Sequence, residues 1–208
     1  FTEGTELFNK GNLFYSRRIG GPPIYYPKTE LNEEVIESPN SVELYNATKI
    51  SGRTKGGLGI GYLNAVTKKT FATIKNTENQ ETRTEVVEPL TNYNIIVFDQ
   101  RFHKNSSVSF INTNVTRNGS FRDGNVSALV WDLNTSKNTY NLSGNFEYSY
   151  VNDIEEDKKS INTSLNFAET SGKYRYSFGT NLVTKDFDNN DLGIIFETNY
   201  YDFYGNTS

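Results

Sequence analysis

Between Thr139 and Tyr150 the chain alternates. Tyr140, Leu142, Gly144, Phe146, Tyr148 and Tyr150 take the even positions; Thr139, Asn141, Ser143, Asn145, Glu147 and Ser149 take the odd ones. A period of two puts these sets on opposite faces of an extended strand. Three later segments repeat the pattern. Ile161, Thr163, Leu165 and Phe167 alternate with Ser160, Asn162, Ser164 and Asn166. Tyr174, Tyr176, Phe178, Thr180 and Leu182 alternate with Arg175, Ser177, Gly179 and Asn181. Leu192, Ile194, Phe196, Thr198 and Tyr200 alternate with Gly193, Ile195, Glu197 and Asn199, and only Ile195 breaks the rule.

Upstream, strands are expected near 12–19, 41–53, 57–68, 90–102, 106–117 and 125–134, about ten in all. Val42, Leu44, Asn46, Thr48 and Ile50 share one face. So do Leu58, Ile60, Tyr62 and Val66, and so do Asn94, Ile96, Phe98, Gln100 and Phe102. The stretch Ser107 to Thr116 does not settle which face is apolar. Pro27 to Ile36 is the best helical segment, and it is short and weak.

Strand length discriminates between all-β classes. Globular strands run to ~5–6 residues. A strand of ~12 residues is about 40 Å long and, tilted by ~45°, spans roughly the hydrocarbon thickness of a bilayer. The connections suggest the same class. Long ones near 19–40 and 69–89 alternate with short ones at Thr54–Gly56, His103–Asn105, Thr135–Lys137 and Thr170–Gly172. Those at 118–124, 152–158 and 185–190 are intermediate or longer. Short periplasmic turns and longer external loops mark outer-membrane barrels.

The expected fold is therefore all-β, an antiparallel up-and-down transmembrane β-barrel, of which this chain supplies about ten strands. Residues 1–208 form one barrel region. Residues 1–11 are a lead-in on the periplasmic side, and the barrel is expected to continue beyond Ser208. The lipid-facing candidates are Tyr140, Leu142, Phe146, Tyr148, Tyr150, Ile161, Leu165, Phe167, Tyr174, Tyr176, Phe178, Leu182, Leu192, Ile194, Phe196 and Tyr200. The lumen-facing candidates are Asn141, Ser143, Asn145, Glu147, Asn162, Ser164, Asn166, Arg175, Asn181, Glu197 and Asn199.

Composition agrees with this picture. Only 35% of the 208 residues are hydrophobic, which is thin for a buried core but ordinary where half of each strand faces a polar interior. Aromatics reach 14%, so the chain is not of disordered composition. A net charge of −4 argues against a nucleic-acid partner. The absence of Cys excludes thiol chemistry and cysteine zinc sites, and with His103 the only histidine a Ser-His-Asp triad or multi-histidine metal site is nearly excluded.

Several segments together resemble a family of large Bacteroidota outer-membrane proteins of unknown function. They are Phe1 to Gly4 with Leu13 to Gly20, Ala47 to Thr54, Gly59 to Ala65, and Ser109 to Thr116. In that family a carbohydrate-binding-like N-terminal domain, akin to those of xylanases, precedes a β-barrel-like region. The resemblance is clearest over roughly the first 135 residues and implies an outer-membrane location. It carries no catalytic residues across; it implies that this chain begins after the N-terminal domain, to which the family's sugar-related label belongs.

The remaining motifs have bland readings. Asp186 to Asp191 lacks the spacing of a calcium loop and reads as a polar hairpin. Asp153, Glu155, Glu156 and Asp157 read as a solvated external loop. Glu147 and Glu197 lie on different strands, and nothing in the sequence fixes the separation that paired glycosidase carboxylates need. Asn-x-Ser/Thr triplets such as Asn114-Val115-Thr116 follow from polar strand faces. The Gly57, Gly59, Gly61 run precedes no helix and suits close backbone approach or sheet curvature.

The expected function is a non-enzymatic outer-membrane channel or transport or export component, without cofactor or metal. Its expected partners are outer-membrane lipid and other envelope proteins. The alternative is a soluble or cell-surface all-β module for a glycan ligand, stacking it on Tyr side chains and Trp131.

Overall fold

The computed structural model describes residues 6–207. Twelve strands form: β1 (Glu33–Glu37), β2 (Leu44–Arg53), β3 (Leu58–Thr67), β4 (Thr70–Asn76), β5 (Thr82–Glu88), β6 (Thr91–Phe102), β7 (Ser106–Arg117), β8 (Asp123–Asn134), β9 (Tyr140–Asn152), β10 (Lys158–Glu169), β11 (Tyr176–Val183) and β12 (Tyr200–Thr207). Nine make one antiparallel sheet in the order β12-β11-β10-β9-β8-β7-β6-β3-β2. It is a meander interrupted once, between β3 and β6, by the hairpin β4–β5. That hairpin pairs with β1 into a separate three-stranded sheet. Among the described residues neither β2 nor β12 pairs with a further strand on its outer edge, so the sheet is open and no closed barrel forms.

From β6 to β12 the register runs without a bulge. A single row of opposed residues therefore crosses eight strands: Ile60, Phe98, Phe110, Leu129, Phe146, Thr163, Leu182 and Tyr201. These side chains point to the outer, convex face. Phe98 and Phe146 are each 43% exposed, and the row has no cover. The next outward row holds Leu58, Val108, Trp131, Leu165 and Phe203.

The opposite, concave face is covered. Ile95 and Val97 are fully buried, with Ala65, Tyr93, Ile111, Val115, Val126 and Ala128 around them. What covers them is not a second sheet but two irregular segments. The lead-in, which among the described residues runs over 6–19, contributes Leu7, Phe8 and Leu13, and the β11–β12 connection contributes Phe187 and Leu192. The lead-in crosses the concave face from end to end. Beside the short turns, Glu6 accepts from Arg101 at 2.8 Å and Lys10 lies 3.6 Å from Asp99. At the other end the Tyr15 N–H donates to the Leu192 carbonyl at 2.6 Å.

Glycines make room for it. A Cβ on Gly59 would lie 2.6 Å from Leu7 Cδ2, and one on Gly61 would lie 3.0 Å from the Phe8 ring. The glycine run of β3 thus serves close approach, by side chains rather than by backbone. Gly59→Val is expected to cost about 1–3 kcal/mol by overpacking and to loosen the lead-in. Limited proteolysis would show faster cleavage between residues 6 and 19; an unchanged rate would mean that the glycine does not seat the segment.

Four expectations need correction. No strand forms over 12–19. Lys10–Asn12 and Ser16–Arg18 are short 3-10 turns, and left-handed backbone at Gly11 (φ 68°) and Asn12 (φ 55°) breaks any extended run. No strand forms over 192–199 either. Leu192 is drawn into the core and Ile195 packs against it, while left-handed Asn199 (φ 62°) delays the strand to Tyr200. Pro27–Ile36 holds no helix, and its last residues belong to β1. The long connection 69–89 is not a loop but the β4–β5 hairpin.

Connection lengths alternate only in part. The segments 68–90 and 184–199 lie at one end and are long. At that same end 118–122 and 153–157 are no longer than 135–139 and 170–175 at the other.

Candidate functional site on the concave face

Where the lead-in does not reach, the concave face is polar. The odd residues of β9 and even residues of β10 and β8 point inward. Ser143, Asn145, Glu147, Asn162, Ser164 and Asn166 thereby share one surface, with Asn181 of β11 opposite Ser164. Their polar groups form a network centred on Glu147. Asn145 Nδ2 donates to Glu147 Oε1 at 2.6 Å, and Asn162 Nδ2 donates to Glu147 Oε2 at 3.0 Å. Ser164 Oγ donates to Asn145 Oδ1. Asn141, further along β9, donates to Asp132 at 2.6 Å and to Asn134 at 3.0 Å. Glu147 is buried, and both of its oxygens are satisfied by neutral amides rather than by a cation.

Two cavities open onto this surface. One, of about 600 Å³, is lined by Asn12, Ser143, Asn145, Ser164, Asn166 and Tyr204. The other, of about 370 Å³, lies between Asn145, Glu147 and Asn162 on the sheet, Asn189, Phe196 and Glu197 on the β11–β12 connection (the crossing segment), and Tyr200 at the start of β12. Asn189 Oδ1 is buried there without a hydrogen-bond partner. The surface offers amides, hydroxyls and free acceptors, which suits hydroxyl-bearing solutes better than ions.

Of the inward set, Arg175 lies outside the strands in the exposed 170–175 turn, and Glu197 and Asn199 lie in the crossing segment. Glu197 nonetheless faces the cavity that Glu147 lines. Of the outward set, Tyr140, Leu142, Phe146, Tyr148, Leu165, Phe167, Phe178 and Leu182 are exposed on the convex face, and Tyr150 and Ile161 lie in its rows half-buried. Tyr174 is an exposed turn residue, Ile194 and Phe196 are exposed on the crossing segment, and Leu192 is enclosed. Tyr200 is not on the convex face at all: it opposes Val183 in the row of Asn162 and Glu147 and so faces inward.

The convex belt has distinct ends. At the short turns Tyr140 stacks on Phe167 with centroids 5.9 Å apart, and Tyr176 bridges Phe167 and Phe178. At the other end Thr48, Asn64, Asn94, Asn114, Asn125 and Tyr150 form one polar row. Asn64 Nδ2 donates to Asn92 at 2.7 Å and Asn94 at 2.9 Å.

Sequence reading missed an ionic cluster at the long-connection end. Asp191 takes Arg117 on Oδ1 and Arg122 on Oδ2, each at 2.7 Å, and Arg122 also reaches Asp188 at 3.0 Å. Burial pushes the Asp191 carboxyl up, but the two guanidinium groups beside it prevail and hold it below the usual aspartate range. The only signal was an acidic run that also reads as a hairpin; its partners are some seventy positions away in sequence.

The fold and site define an all-β protein with a long open meander, an uncovered apolar belt outside and a partly filled polar surface inside. The chain belongs to the family described as a domain of unknown function, DUF5916, whose pattern it matches over residues 1–208. No curated protein and no solved structure shows a significant match to it.

Proposed function

We propose that the chain is part of the wall of a bacterial outer-membrane β-barrel, a non-enzymatic component for passage, uptake or export of a hydrophilic solute or polymer. The convex belt carries this reading. Large apolar side chains stand uncovered in register across β3 and β6 to β12, and soluble monomers rarely expose contiguous apolar patches of more than a few hundred Å². β9, with 13 residues, tilted by ~40° would stand about 33 Å tall, enough for an apolar band of ~25 Å with rims at both ends. No helix among the described residues is long and apolar enough to cross a membrane, a fact silent about strands.

In this reading the concave amides line the passage, and the lead-in with the crossing segment fills part of it. The edges of β2 and β12 would pair with further strands, from the same polypeptide or from envelope partners, because an open edge is not tolerated in lipid. The amide-lined cavities with Tyr200 and Tyr204 favour a second reading, a cell-surface glycan-binding module.

Membrane fractionation of the full protein, with protease added to intact cells, separates the two. The barrel predicts extraction only by detergent and external cleavage near Asn79 and Glu156. Recovery in the soluble fraction would overturn it and favour the binding module.

A further inference from the structure

The ionic cluster at the long-connection end borders a cavity of about 250 Å³, lined by Tyr15, Arg17, Arg18, Tyr93, Arg117 and Asp191 among others. Three guanidinium groups therefore face one carboxylate. Both Asp191 oxygens are already engaged, by Arg117 and Arg122. Glu88, the other acid close to Arg117, is turned to other donors: the Ile24 N–H at 3.0 Å and the Thr91 hydroxyl at 3.1 Å. Asp123 accepts the Arg117 backbone N–H at 2.7 Å, and Asp188 holds Arg122.

Arg17 and Arg18 have no carboxylate within ion-pair distance among the described residues; Arg18 Nε donates only to the Gly193 carbonyl, at 3.3 Å. The Arg117 side chain is 1% exposed, and its Nε is buried without an acceptor. A buried charged donor left unpaired is costly, and guanidinium groups match the planar or tetrahedral oxygens of carboxylates and phosphates.

The walls are preformed. Tyr15 is fixed to Leu192 and Val42 to Gly21 by backbone bonds of 2.6 and 3.0 Å. A Cβ on Gly21 would lie 2.6 Å from the Arg17 carbonyl oxygen, so glycine at this position permits the turn that holds both arginines at the cavity. Tyr15, Pro22 and Ile24 give the cavity an apolar side.

We propose that this cavity is an oxyanion-binding site for a small carboxylate- or phosphate-bearing molecule, held by Arg17, Arg18 and Arg117. It does not depend on the chain lying in a membrane.

The test is a calorimetric titration of the full purified protein, whether or not its isolation needs detergent, with inorganic phosphate, with succinate, and with glycerol as the neutral comparison. Saturable binding of phosphate or succinate, but not glycerol, is expected, and whichever anion binds identifies the headgroup. R17Q/R18Q should weaken it at least tenfold, while K104Q at the opposite end leaves it unchanged. Equal weakening by K104Q would mean diffuse charge and would overturn the site, as would the absence of saturable binding of either anion. Should R17Q/R18Q fail to fold, phenylglyoxal modification of the unaltered protein decides. Phosphate or succinate should protect the peptide holding Arg17 and Arg18 but not Arg175; equal modification with and without anion would contradict the assignment.

Discussion

Asp99→Ala is expected to destabilise the protein by about 3–5 kcal/mol, the cost of removing one partner from a buried ion pair, and to free the lead-in. Asp99 is fully buried on the concave side of β6. It accepts from the Ser109 hydroxyl at 2.7 Å and from Arg53 Nη2, and Lys10 and Arg101 each lie 3.6 Å away. Lys10 and Arg101 can swing to water once the carboxylate is gone. Arg53 cannot do so readily, because its side chain is 11% exposed and its Nε already lacks an acceptor.

The loss should appear as a lower denaturation midpoint, with faster proteolysis between residues 6 and 19. Asp99→Asn, which can keep the Ser109 contact but not the charge, should fall between Asp99→Ala and the unaltered protein. An Asp99→Ala protein as stable as the unaltered one would mean that Lys10 and Arg53 do not need this carboxylate.

Phe146→Arg separates the two readings of the convex face by magnitude. Phe146 sits near the middle of β9, between Leu129 and Thr163 in the outward row. An arginine at the midplane of a lipid-facing belt costs about 2–4 kcal/mol. The same change at a water-exposed position stays within about 0.5 kcal/mol. If the belt is in lipid, the variant assembles poorly into membranes while Phe146→Leu assembles normally. Normal assembly and unchanged stability of Phe146→Arg would place the belt in water.

The large sheet was legible in the sequence because its register is regular. From β9 to β11 the alternation is clean, and the inward and outward residues of those strands fall on opposite faces as their period requires. Legibility failed wherever apolar residues serve a core rather than a face. Ser107 to Thr116 gave no clear parity because β7 is apolar on both sides: Ile111 and Val115 meet the lead-in, while Val108 and Phe110 stand on the convex belt. Leu192 to Tyr200 imitated a strand, and its one breach, Ile195, marked a segment that packs inward.

The lead-in misled for the same reason. Leu13, Phe14 and Ile19 look like strand residues but fill the concave face. Neither filling of the concave face nor the Arg117–Asp191–Arg122 cluster leaves a local periodic trace, because each depends on contacts between distant parts of the chain.

In the proposed barrel the even-numbered face of β9 meets lipid. The chain has no cysteine, so a single spin label can be placed in turn at each position from 142 to 150 of the membrane-assembled protein. Collision with oxygen, which partitions into lipid, and with a water-soluble nickel complex is then measured at each site. A lipid-facing belt gives a two-residue oscillation, with oxygen high and nickel low at 142, 146 and 148 and oxygen low at 143, 145, 147 and 149. High nickel accessibility at 142, 146 and 148 would contradict it.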